Sequence, residues 1–557
     1  MKAQLLKSSL LLPGLMILCL TLIISLLSCF FDPFPTLETT PTPHQQRPLM
    51  LVLGLFLAMG FVWLFSIQRA SKSLGSRDGI IILLVTFSSR LLLIPSYPIQ
   101  EIDLYRYLWD GAVINAGVSP YQYAPGEIDS SGEANQLSIT PLSPDQKNHP
   151  QKLQQLFEQR PAIVTIHQAV HYPQFVTIYP PVSQAVFAVS LATTPKQSSR
   201  WLHVVILKAW LVLFDLIICG LIAWMLRRMK QPWHWGLLYW WNPLILKEIA
   251  NSGHLDVIAA CFVLAGLACL LQTSYRPVRW LLAAVLCLSL GVGAKLFPML
   301  LIPLVLIVVY KRHGLYAAFG CLLAGTFCCT ALLSPMLLNL ASEQPTATNS
   351  LTTFLTHWEM NDLLFQFVLE NLKPTEAIDQ PTPWFVLIPN AWRTVLITQM
   401  TTLTEMEPNR AAFLMARILT LGSWLMISLA ACFQLARTPE NRLNQKLLEL
   451  SFRVQIWFWM LSPTQNPWYL IGSFVLLPWS RCGVWKWLSL VCFAYYFRFW
   501  LQYHTEAKTL WFSHFNASDL FFQVVVWLEF GPLLMAVLYW HWLNQNSSQA
   551  EKMSETP

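Results

Sequence analysis

Four ionisable residues, Glu101, Asp103, Arg106 and Asp110, fall within ten positions of the segment EIDLYRYLWDGAVINAGVSPY, in a chain where only 12% of residues are charged. Asp103 follows closely on an apolar run. A carboxylate in that place is partly stripped of water by lipid and protein, which suits it to take a proton from a hydroxyl as a general base. Arg106 comes three residues later, so on a helix the two share a face, and Asp110 sits near the far end of two turns. Arg106 then either pairs with Asp103 or Glu101 in a structural ion cluster, or orients a ligand beside the base. The surrounding Tyr105, Tyr107, Trp109, Tyr121 and Tyr123 read equally as interfacial anchors and as a stacking wall for a sugar.

Three more polar stretches interrupt apolar sequence: NSGHLD at Asn251 to Asp256, GAKLFP around Lys295, and SPTQNPWY at Ser462 to Tyr469. His254 beside Asp256 is either an interfacial anchor or part of a site. Lys295 is flanked by two apolar runs with almost no loop between them. Its ammonium either snorkels to lipid headgroups or meets a buried anion, and the short loop favours the second. No Gly-rich phosphate loop, HExxH or GxSxG pattern is present, which removes support from soluble nucleotide-dependent, zincin and serine-hydrolase chemistry. The twelve cysteines lie mostly in apolar stretches without metal-ligand spacing and read as small core residues.

The elements that must hold these groups are set by composition: 557 residues, 55% hydrophobic, 25 tryptophans and a net charge of +7. This is an all-α polytopic membrane protein, with the lipid bilayer as its main partner. Its basic residues form short clusters between apolar runs, a pattern for membrane orientation and not for nucleic acid. Runs able to cross about 30 Å of hydrocarbon centre on 9 to 31, 49 to 68, 79 to 95, 202 to 226, 233 to 250, 255 to 272 and 279 to 294. They continue with 296 to 310, 315 to 334, 411 to 436, 448 to 463, 467 to 481, 484 to 502 and 519 to 542, about fourteen transmembrane helices in all. LLSC, ending at Cys29, faintly resembles a lipoprotein cleavage site, but its apolar run is too long for a signal h-region and reads as a retained span.

Every second loop is basic, as at Arg69 and Lys72, Arg227 to Lys230, Lys311 and Arg312, and Arg437 to Lys446. This places the loops and both termini in the cytoplasm of a multi-pass cell-membrane protein. The apolar run after Pro180 and Pro181 is too short to span and is expected to form an interfacial helix on the outer face. The organisation that follows is N-terminal spans (1–95), a first outer loop carrying Asp103 and interfacial helices (96–201), a transmembrane core (202–334), a second outer loop (335–410), C-terminal spans (411–543) and a disordered cytoplasmic tail (544–557).

The motifs, taken together, resemble those of polyprenyl-phosphate-sugar-dependent glycosyltransferases of the GT-C superfamily, in their bacterial mannosyltransferase-like branch. The resemblance is carried by DLYRYLWDGAVINAGVSPY, YPPVSQ, WNPLILKEIANSGHLD, AKLFPMLLIPL and SPTQNPWYL, in the branch's order across roughly residues 79 to 480. Ser252 and Leu255 depart from the branch's Gly and Asn, and Ser119 from its Asn. The resemblance implies a GT-C-like fold and an inverting transfer of a sugar, with mannose the first candidate, from a polyprenyl-phosphate donor to a glycan or lipid acceptor at the outer face. It implies Asp103 as catalytic base, with Asn251, His254, Asp256 and Lys295 lining the donor-phosphate and acceptor cavity; Arg106 and Asp110 are expected to orient the base and the donor, and Tyr179 to bind substrate beside them. No cofactor and no metal ion are expected. A transporter or flippase and a non-catalytic assembly subunit are the rival classes; a transporter calls for charges along a path through the membrane, for which Arg90 and Asp215 are the chief candidates.

Overall fold

The computed structural model describes residues 9–33, 42–72, 75, 77–128, 148–272, 277–340, 358–375, 382–480, 482–504 and 516–554. These residues are predominantly helical, and the isolated parallel bridge between Met360 and Thr464 is the β-type pairing among them. Among the described residues, seven helices are long and apolar enough to cross a membrane: Leu11–Phe31, His44–Lys72, Arg200–Arg228, Pro277–Ala294, Phe297–Asn339, Pro408–Arg437 and Ala517–Leu543. Pro243–Asn251 and Asp256–Leu270, bent by 119° at their junction, make an eighth if they count as one span. Large apolar side chains such as Leu83, Phe327 and Met426 face outward, as lipid contact requires.

Among the described residues the fourteen expected runs do not all form single long helices, for reasons that differ along the chain. The 79 to 95 run becomes Asp78–Leu93, only 16 residues long. The 448 to 463 run lies in Glu440–Met460, whose first turns carry Glu440, Arg442, Lys446, Glu449 and Arg453. Run 467 to 481 divides into short pieces such as Pro467–Leu470 and Leu477–Trp479, with Pro478 inside it, and run 484 to 502 is covered by consecutive short 3₁₀ and α segments from Gly483 to His504. Runs 296 to 310 and 315 to 334 join into one helical stretch broken at Gly314, whose φ of 82° suits glycine. The polar tail departs from expectation too: helix Val526–Ser554 continues through most of it. Gln, Ala, Glu, Lys and Met propagate a helix already nucleated by the apolar span.

The chain forms two compact units, Met1–Leu355 and Thr356–Pro557. In the first, Leu11–Leu27 packs on Leu49–Lys72 and Asp78–Leu93, and Asp256–Leu270 packs on Pro277–Ala294. Helix Asp103–Asn115 lies against Pro181–Ala192 at Gly111, where an added Cβ would come within 2.5 Å of the Phe187 carbonyl oxygen. The expected intramembrane pair is present, with Arg90 Nε 2.5 Å from Asp215 Oδ2. It is a closed cluster: Arg90 Nη1 donates to Thr86 O and Trp240 O, and the Tyr239 hydroxyl to Asp215 at 2.7 Å. In the second unit, Phe365, Leu369, Ile397, Ala411 and Ala416 form a small apolar core.

Candidate functional site

The site begins with the segment that delivers Asp103. Asp78–Leu93 ends without a glycine cap, and its terminal carbonyls are met by side chains from other helices. Ser25 Oγ donates to Leu92 O at 2.7 Å, and Lys208 Nζ donates to Leu93 O and Ser96 O, each at 2.7 Å. Trp201 Nε1 holds Pro95 O at 2.9 Å, and the Tyr97 amide donates to Ser28 Oγ at 2.9 Å. Asn251 completes the harness: Nδ2 donates to Ser96 Oγ (2.9 Å) and Tyr97 O (2.8 Å), while Oδ1 accepts from the Ile99 amide (3.1 Å). Gln100 then turns the chain with a φ of 69°, and Glu101 and Asp103 follow. Asn251, expected to line the cavity, spends its amide on the Ser96 hydroxyl and on the backbone of Tyr97 and Ile99.

Asp103 is half-buried in the first turn of Asp103–Asn115, at the positive end of the helix dipole. Its charge acts on Glu101, Tyr107 and Lys295. Lys295 is hydrogen-bonded to Asp256, which is fully buried in the first turn of Asp256–Leu270, while the lysine side chain keeps 22% of its exposure. Burial lowers the Lys295 ammonium's pKa, against the pull of Asp256 and Asp103. Beside this array lies a second one. Glu248 Oε2 is 3.2 Å from His254 Nε2 and 3.4 Å from Lys247 Nζ, and all three side chains are buried. Glu101 faces them. Burial, Asp103 and Glu248 push its carboxyl up to about 7, against the opposing effect of Lys247 and His254.

The backbone that brings these groups together is irregular. Leu246–Asn251 is a π-helical turn, a rare widened form of helix, and all six of its residues are buried. Gly253 follows in the left-handed region with φ 73°, and a Cβ there would press on Lys208 Cγ at 3.3 Å. The NSGHLD motif thus needs glycine at its bend.

Arg106 and Asp110 do not join Asp103 in an ion cluster. They pair with each other across one turn, Arg106 Nε to Asp110 Oδ1 at 2.9 Å, and Arg106 Nη1 donates to Phe175 O at 2.9 Å. Gln184 Nε2 donates to Asp110 Oδ2 at 2.8 Å and to Thr177 Oγ1 at 3.1 Å. The pair therefore ties Asp103–Asn115 to the segment before Pro181–Ala192. Tyr179 contributes its carbonyl, which accepts from the Tyr121 hydroxyl at 2.8 Å, and its ring, which meets Tyr107 edge-on at 5.0 Å. Tyr107 also stacks on Phe187 at 4.6 Å. This aromatic wall stands one turn beyond Asp103.

Of the eight expected residues, Asp103, His254, Asp256 and Lys295 lie in the linked charge arrays, Asn251 supports them from behind, and Arg106, Asp110 and Tyr179 brace the helix. Lys247, Glu248, Gln184 and Lys208 were not singled out. A Lys-Glu pair inside the apolar run of WNPLILKEIA, or a lone lysine in the 202 to 226 run, is costly in a membrane and was the available signal. The fourth expected stretch, SPTQNPWY, lies in the second unit, where Thr464 bridges to Met360 and Gln465 O accepts from Asn361 Nδ2 at 3.3 Å. Among the described residues, no three His, Cys, Asp or Glu side chains are grouped to hold a metal ion. No family model, curated protein or solved structure matches the chain.

Proposed function

We propose that the protein is an integral-membrane inverting glycosyltransferase that moves a sugar, with mannose the first candidate, from a polyprenyl-phosphate donor to a glycan or lipid acceptor at the outer face of the membrane. The observation that carries the reading is the neighbourhood of Asp103. A half-exposed carboxylate stands beside a lysine held by a buried aspartate, with an aromatic wall a turn away; Asp256 opens the second arm of the bent helix pair and Lys295 lies between two spans. A donor whose isoprenoid tail stays in lipid needs its reactive phosphate handled at that depth.

In this reading Asp103 takes the proton from the acceptor hydroxyl as its oxygen attacks the anomeric carbon. The bond from that carbon to the phosphate oxygen breaks on the opposite face, so configuration inverts. Phosphate leaves as an anion without an obligatory acid, and Lys295 stabilises the charge it gains. Asp256 fixes the ammonium, and the harness around Ser96 fixes the carboxylate. The Arg90–Asp215 cluster, closed by backbone carbonyls and Tyr239, gives little support to a transport path.

The test is incubation of purified protein with a panel of labelled polyprenyl-phosphate sugars and membrane acceptors, with the anomeric configuration of the product read by NMR. Transfer with inversion from one donor is expected. Retention of configuration, or movement of sugar across sealed vesicles without transfer from any donor, would replace this reading.

A further inference from the structure

Helix Asn390–Thr404, NAWRTVLITQMTTLT, presents an outward face that water does not favour. Trp392, Val395, Leu396 and Leu403 recur at helical spacing and are exposed, Leu403 by 80%. Its inward face is occupied: Ile397 packs with Phe365, Leu369 and Ala411, and Met400 packs beside them. The helix has one charged residue, Arg393, and that side chain is turned inward and buried, donating to Lys373 O at 2.5 Å and Thr375 Oγ1 at 3.1 Å. The exposed face therefore carries no charge over 15 residues.

Two exposed threonines on this helix are also prepared for a dry surrounding. Thr394 Oγ1 donates back to Asn390 O at 2.9 Å and Thr402 Oγ1 to Thr398 O at 2.8 Å. A threonine whose hydroxyl is spent on its own helix shows its methyl outward and loses little on leaving water. Trp384 and Leu387, just upstream, extend the exposed apolar surface. Downstream, three residues lead into Pro408–Arg437, a span whose Ile418, Leu425 and Met426 face outward.

We infer that Asn390–Thr404 is an interfacial helix whose outer face inserts into the acyl and glycerol layer of the bilayer, with lipid as its partner. A helix of about 22 Å lying in the interface plane buries one face to a depth of about 5–10 Å, and continuity with the lipid-facing side of Pro408–Arg437 fixes lipid as the occupant. The face has no charge with which to select anionic headgroups, so insertion is governed by apolar area alone. This holds whatever reaction the first unit performs.

The experiment places benzoylphenylalanine, separately, at Val395 and at Leu403 in the full-length protein. Variants that remain monodisperse are reconstituted into vesicles of phosphatidylcholine or phosphatidylglycerol, illuminated, and analysed for adducts by mass spectrometry. Lipid adducts at both positions, in equal yield in the two lipids, are expected. Cross-links to a second polypeptide would make the face a protein interface, and no adduct at either position would make it a water-exposed surface. Adducts confined to the anionic lipid would refute the charge-free insertion argued above.

Discussion

Asn251 Nδ2 sits 2.9 Å from Ser96 Oγ, and Lys208 Nζ reaches the same hydroxyl at 3.1 Å. Two buried side chains from different helices thus converge on one serine in the segment that feeds Asp103. Lys208 has three N–H groups and three oxygen partners, Leu93 O, Ser96 O and Ser96 Oγ, and none of the three is a carboxylate. Lys208→Met and Asn251→Ala should each lower the melting temperature, because a buried backbone group left unpaired costs about 1–3 kcal/mol. Turnover per folded molecule should fall with little change in donor KM, since the base is displaced and the donor site is not. An unchanged kcat in folded protein would reduce the harness to a helix cap.

Much of this arrangement was legible in the sequence, and the part that was not has a physical reason. Asp103, His254, Asp256 and Lys295 stand out because each is a polar residue at the edge of an apolar run, where its cost calls for an explanation. Composition does not reveal who pairs with whom. Arg106 is three residues from Asp103 and four from Asp110, both workable helical spacings, and Gln184 on another helix helps to fix the partner as Asp110. Asn251 looked like a ligand contact because its recipients, the backbone of residues 96 to 99, lie about 150 positions away. Apolar runs likewise report hydrophobicity but not helix continuity, so the run from Pro467 through Pro478 reads as one span where the chain forms several short helical pieces.

Asp103→Asn and Asp110→Asn should fail differently. Asn at 103 keeps size and hydrogen bonding but cannot take a proton, so folded yield should persist while turnover drops by about 10² to 10⁴. Asn at 110 places an NH2 group against Arg106 Nε or Gln184 Nε2, both donors, in a buried pair. Breaking such a pair costs about 3–5 kcal/mol, so monodisperse protein should be lost in proportion to activity. Full specific activity in folded Asp103→Asn would eliminate it as the base.

Lys295 has two possible duties, neutralising Asp256 and holding the donor phosphate, and a double-mutant cycle separates them. Lys295→Met alone should destabilise, since it strands a buried carboxylate, and should also raise donor KM. In Lys295→Met with Asp256→Asn the stranded charge is gone, so stability should largely return. Donor binding should not return with it. Recovery of both would leave Lys295 a purely structural ion-pair partner.

Glu101 supplies a pH-dependent signature that needs no substrate. The unfolded chain releases its proton near the ordinary glutamate value of 4.5, and the folded chain only near 7. Between those values the folded state holds more protons than the unfolded one, so its contribution to stability declines as pH rises, by an amount on the order of 3 kcal/mol at most. The decline is complete above about 7, where a buried carboxylate faces Asp103 and Glu248 and is relieved in part by Lys247 and His254. Glu101→Gln cannot titrate. Thermal unfolding of variant and wild type across a pH series should therefore show the variant gaining relative stability from about pH 4.5 to 7, with a plateau on either side. A difference that stays flat across that window would mean that the folded chain leaves Glu101 as an ordinary solvated carboxylate, and one that falls through it would contradict the raised pKa outright.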